Sequence, residues 1–167
     1  MLERDDIRFA IDDARRRHAA LVDLINNSDR MALGLMQLYV ALASAAISGT
    51  AAIYFGFGMT GSPGWLAWVL LSLGVPLAIG AALCLAALWP SNINLPGQQM
   101  NFWQWAAHPD VAAENAFNTL LSHIAEGHTR NEKINRRVSR LMYAAKICGA
   151  LGPLFALAMF LYGAMTR

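Results

Sequence analysis

Met31–Phe57, MALGLMQLYVALASAAISGTAAIYFGF, contains no Lys, Arg, Asp or Glu. It is longer than the roughly 20 apolar residues that a helix needs to cross a bilayer. The charge-free region extends well past it, with no Lys, Arg, Asp or Glu between Arg30 and Asp110, and it holds a second apolar run, Trp65–Trp89. A third run, Leu141–Met165, is interrupted only by Lys146, near its start, where a lysine can snorkel to the headgroups. Soluble chains average about 25% charged residues; this one has 14%, against 56% hydrophobic. The fold expected is an all-α integral membrane protein of three transmembrane helices, with long helical cytoplasmic extensions forming a bundle.

Orientation follows from the basic residues. Residues 1–30 hold six Lys/Arg and residues 91–140 hold five, while the connector Gly58–Gly64 has none. The positive-inside rule places the two basic segments in the cytoplasm and the connector and C-terminus outside. The chain therefore divides into an N-terminal cytoplasmic helix (1–30), a first span (31–57), a second span (65–89), a cytoplasmic aromatic element and helix (90–140) and a third span (141–165). The first thirty residues are too charged for a signal peptide.

Two helical seams are expected in the cytoplasmic segments. Ile7, Ile11, Ala14, His18, Leu21 and Ile25 alternate spacings of four and three, as a packed helix does. A histidine in such a seam reads as a packed, hydrogen-bonded core residue rather than a ligand. Asp5, Asp6, Asp12 and Asp13 precede Arg15–Arg17, the order that the helix dipole favours. Phe117, Leu120, Ile124, Gly127, Asn131, Ile134, Val138 and Leu141 form the second seam. Beside it Arg130, Lys133, Arg137 and Arg140 make a basic stripe, joined by Arg136. Guanidinium groups match phosphate geometry, so the stripe is a candidate phosphate site; anionic lipid attraction and topology also account for basic residues here. Asn131 interrupts its seam, where a polar residue sets helix register or contacts a ligand.

Breaker composition marks Gly58–Gly64 and Pro90–Gly97, the latter followed by the uncharged aromatic run Asn101–Ala107. That run suits a membrane surface or a plug against the helical arms, and Asp110 is placed to cap a helix starting near Val111. Small residues recur in the first span (Ala41, Ala45, Gly49; Ser44, Ser48, Ala52) and in the second (Gly74, Ala78, Ala82, Ala86), as in close helix packing in lipid and in oligomers.

No catalytic residues, metal site or cofactor are expected. His123 and His128 are five apart rather than four, no Gly-rich phosphate loop or nucleophile elbow is present, and no Arg precedes a His at the spacing of a HEPN-type ribonuclease. Cys84 and Cys148 lie in apolar runs and read as buried small side chains. Spans without charge argue against an ion-coupled transporter, and the absence of a continuous polar face argues against a constitutive pore.

Asn26-Asn27-Ser28-Asp29-Arg30-Met31-Ala32 where the first span begins, Asn101-Phe102-Trp103 after the second, and the helix from Asn131 to Ala145 leading into the third resemble the Pycsar transmembrane effector family of bacterial antiphage systems, and more loosely the SLATT-type effectors. The resemblance covers Leu21 to Tyr162. It implies a sensor in the bacterial inner membrane; the small-residue rows and cytoplasmic seams point to a homo-oligomer, multi-pass with its N-terminus cytoplasmic by the positive-inside rule. The resemblance implies activation by a cyclic nucleotide second messenger made during infection, cyclic pyrimidine mononucleotides being among the candidates, and membrane disruption as the output. No nucleic-acid polymer is expected as a partner. Arg130, Lys133, Arg137 and Arg140 are then the residues expected to contact phosphate, with Asn131, Asn26 and Arg30 beside them. The alternative is a non-enzymatic membrane scaffold whose cytoplasmic helices dock a protein partner.

Overall fold

The computed structural model describes residues 4–56, 64–89, 92–95 and 97–166, with the backbone alone for 4–8 and 10. Ile7, Asp5, Asp6 and most of the Gly58–Gly64 connector therefore lie outside the described residues or side chains. Four helices account for nearly all of the described chain: α1 (Arg4–Phe55), α2 (Trp65–Ala87), α3 (Met100–Ala106) and α4 (Ala113–Met165). Three of them, α1, α2 and α4, contain stretches long and apolar enough to cross a membrane. No residue between Arg4 and Phe55 breaks α1, because that segment has no Pro and its few glycines, Gly34 and Gly49, do not leave helical geometry. Pro76 and Pro153 lie inside α2 and α4, and both helices continue through them.

The chain separates into two compact units. One comprises Met1–Asn27 and Pro90–Arg137; the other comprises Ser28–Trp89 and Val138–Arg167.

The apolar unit has a core of small side chains and a surface of large ones. Ala32, Tyr39, Ala43, Ala46 and Thr50 are the buried positions of α1 in this unit, at helical spacings. Ala67, Gly74, Leu77, Gly80, Cys84 and Ala87 of α2 are buried too, with Gly74 against Ala43 and Ala46 and Gly80 against the Tyr39 ring, and Val138, Met142, Ala145 and Gly152 of α4 are also buried. Leu33, Leu38, Ile47, Val75, Ile79, Leu85, Leu154 and Phe155 are exposed. In water this would leave far more apolar surface than a soluble monomer exposes; in lipid the same inversion is favourable, since close backbone approach replaces the hydrophobic effect as the packing force. Among the described residues Tyr39 is the one large polar side chain of this core, and its hydroxyl donates to the Ala145 carbonyl at 3.2 Å. The Thr50 hydroxyl donates to the Ala46 carbonyl at 2.9 Å, with the Ala67 carbonyl 3.4 Å away. At the far end Trp65 packs on Phe160, ring centroids 5.5 Å apart, and Gly163 gives the indole room.

The small-residue rows divide between two uses. Gly74 is buried and Gly49, Ala52 and Ala86 are half-buried, whereas Ala41, Ser44, Ala45, Ser48, Ala78 and Ala82 remain exposed; the buried alanines of α1, Ala43 and Ala46, lie outside the expected rows.

The second unit contains the polar ends of α1 and α4, α3, and the described residues 92–95 and 97–99. Its buried residues are His18, Val22 and Ile25 on α1 and Leu120, Gly127 and Asn131 on α4. The α4 seam drifts from the expected one: after Val138 the chain buries Met142 and Ala145, and Leu141 is only half-buried. A helix of 3.6 residues per turn moves off a strict 3.5 repeat within two heptads. The start of α4 also differs from the expectation. It begins at Ala113, with the Ala112 carbonyl accepting from the Asn115 and Ala116 amides. His108, Pro109 and Asp110 instead form a turn closed by the Val111 amide on the His108 carbonyl, and the Asp110 carboxylate lies 3.3 Å from His108 Nδ1.

Candidate functional site

Three segments distant in sequence meet at Asn94. The Asn131 side chain, 0% exposed, pairs with the Asn94 peptide as one strand pairs with another: its Nδ2 donates to the Asn94 carbonyl at 2.8 Å, and its Oδ1 accepts from the Asn94 amide at 2.9 Å. His18 Nε2 lies 2.8 Å from the same carbonyl. A carbonyl only accepts, so His18 carries its hydrogen on Nε2. The imidazole is 4% exposed, and among the described residues its Nδ1 has no hydrogen-bond partner.

Gly127 makes this arrangement possible. A glycine inside a helix costs about 1 kcal/mol relative to alanine. Here a Cβ would overlap Asn94 Nδ2 and stand 3.2 Å from His18 Cε1. One turn further along α4 lies Asn131, so the small residue and the amide together form the notch that holds Asn94.

Asn94 and Leu95, held there, form one wall of a cleft of about 580 Å³ together with Gly97, Gln98 and Gln99. Arg15 and His18 of α1 line it, as do Phe102 and Trp105 of α3 and His123, Gly127 and Arg130 of α4. Gln98, Gln99 and Asn101 add carboxamides, and Glu126 is the carboxylate among the lining residues. The Phe102 ring lies 5.7 Å from Trp105 and 5.8 Å from His123, and His123 Nδ1 is 3.2 Å from Gln98 Oε1. Cations, aromatic surface and groups that both donate and accept fit a small planar molecule carrying negative charge.

Of the seven residues expected at a phosphate site, Arg130 lines the cleft. Asn131 is buried, does not line the cleft, and spends its side chain on the Asn94 backbone, a non-helical segment rather than a facing helix. Lys133, Arg137 and Asn26 are exposed in the same unit and do not line the cleft, and Arg30 and Arg140 are exposed in the apolar unit. Arg136, in the same stripe, pairs with Glu132 at 2.7 Å. Residues absent from the expectation are Arg15, Asn94, Phe102, Trp105 and His123. A signal existed for three of them: Arg15 stands three residues before His18 on the same helical face, and Phe102 and Trp105 belong to the uncharged aromatic run that suits a plug against the helical arms. Asn94 had none, because it sits in a breaker segment without periodicity.

No family model, curated protein or solved structure matches the chain.

Proposed function

We propose that this protein is a multi-pass bacterial inner-membrane effector of antiphage defence, activated by a cyclic nucleotide and acting by disrupting the membrane. The observation that carries the reading is the continuity of α1 and α4: each runs unbroken from a polar, cation-bearing segment into an apolar stretch of membrane-spanning length. A ligand that prefers one arrangement of the polar helices thereby biases the spans, without any additional coupling element. The N-terminus and residues 91–140 are cytoplasmic in this reading, the side on which a second messenger is made. Homo-oligomerisation uses the exposed small residues Ala41, Ser44, Ala45 and Ser48, which the protomer's own packing leaves free.

Dye-loaded liposomes containing the purified protein test the output. Leakage is expected to rise on adding a cyclic mononucleotide from the side bearing the N-terminus, and equal leakage with and without every such nucleotide refutes the reading. Topology is checked separately in cells. Single cysteines at exposed positions 26 and 133, in a chain lacking Cys84 and Cys148, should resist a membrane-impermeant maleimide until the inner membrane is opened.

A scaffold that docks a protein partner is the second reading, favoured by the exposure of Met100 and Trp103 on α3. Growth arrest on co-expression with a nucleotide cyclase separates the two, since a scaffold gives none.

A further inference from the structure

Arg15 and Arg130 come from different helices, α1 and α4, yet line the same cleft. Among the described residues neither has a salt bridge, whereas Arg17 pairs with Asp13 at 3.0 Å and Arg136 with Glu132 at 2.7 Å. The cleft therefore holds two cations against the single carboxylate of Glu126 among its lining residues. Its volume of about 580 Å³ falls within the range of roughly 300–1,000 Å³ usual for small-molecule sites. Phe102 and Trp105 supply ring surface at the same place, on a short helix that follows the segment anchored by Asn131 and His18.

We propose that this cleft, and not the exposed basic stripe, is the ligand site: a nucleotide-sized molecule lays its heteroaromatic ring against Phe102 and Trp105 while Arg15 and Arg130 share its phosphate. The proposal rests on the ligand-gated reading above and specifies where that ligand sits. Its consequence is mechanical. A phosphate held by one arginine from each long helix ties α1 to α4, so occupancy fixes the spacing of the two helices that continue into the apolar stretches. Lys133 and Arg140 of the exposed stripe are left to anionic lipid.

The test uses the full chain in lipid nanodiscs, with binding of cyclic AMP, GMP, CMP and UMP measured by calorimetry and thermal melting as the control for folding. Arg15→Gln and Arg130→Gln are each expected to weaken the best-bound nucleotide at least tenfold, the loss of a charge-assisted hydrogen bond. Lys133→Gln with Arg140→Gln should leave affinity within about twofold of the wild type. Trp105→Leu should weaken the nucleotide while leaving competition by inorganic phosphate, an anion without a ring, unchanged. Wild-type affinity in Arg15→Gln, or loss confined to the stripe variant, overturns the cleft assignment and leaves gating intact. Sensitivity to the cleft variants with no nucleotide-dependent leakage from wild-type liposomes keeps the cleft and refutes the gating. No binding of any of the four nucleotides overturns both.

Discussion

Gly149→Ala is expected to destabilise the protein by about 2 kcal/mol, although alanine is the better helix former. Tyr39 is the reason. Its ring lies in a slot between glycines of two other helices: a Cβ at Gly80 would stand 2.9 Å from both Cδ2 and Cε2, and one at Gly149 would overlap the phenol oxygen and stand 2.6 Å from Cζ. The ring has no room to retreat from one glycine toward the other. Its hydroxyl is held by the Ala145 carbonyl at 3.2 Å, and displacing it forfeits that bond, a further loss of about 1 kcal/mol if nothing replaces it. Gly80→Ala should cost a similar amount. The decisive comparison is the double variant Tyr39→Leu with Gly149→Ala: once the ring is gone the added methyl is expected to cost little, so the two substitutions should be strongly non-additive in thermal unfolding in detergent micelles. Additive losses would mean that Gly149 matters for some reason other than Tyr39.

Asn131→Ala should remove both hydrogen bonds to Asn94 and lower stability by about 2 kcal/mol, mostly from partners left unsatisfied. Asn131→Asp should be worse despite its shape. It keeps an acceptor for the Asn94 amide but sets a second oxygen against the Asn94 carbonyl, inside a site that is 0% exposed. The readout that isolates this effect is limited proteolysis, because the 92–99 segment should become the first point of cleavage in either variant while the apolar unit stays resistant. His18→Gln is the milder companion: a glutamine amide can still donate to the Asn94 carbonyl, so protection should be largely retained. Equal susceptibility of Asn131→Ala and wild type would show that the Asn94 anchor does not hold the segment.

Much of this molecule is readable from local pattern. The two apolar runs inside the charge-free region between Arg30 and Asp110, and the third at Leu141–Met165, announce three long apolar helices, because the helix satisfies its own backbone hydrogen bonds and needs only an apolar solvent around it. The seams are readable for the same reason, since residues three and four apart share a face. His18 and Asn131 occupy seam positions and are both buried. Where the pattern misleads, the cause is also local. Repetition at a strict 3.5 picks out Leu141, but the real turn of the helix buries Met142 and Ala145. The regular basic stripe draws attention to Lys133, Arg137 and Arg140, yet a stripe records only which residues share an exposed face.

Alone, then, the sequence determined which segments are helices, which of them can enter a membrane, and which faces carry charge. Each of these follows from spacings within a few turns and from the partition of side chains between water and lipid. Tertiary structure decided where a ligand-sized cleft forms and what lines it. Asn94 reaches Asn131 across 37 residues and His18 across 76, through hydrogen bonds to a segment with no repeat. Such contacts leave no periodic trace, so the cleft that Arg15 and Arg130 share, one on each long helix, is walled in part by a non-helical strip of chain that His18 and Asn131 pin in place.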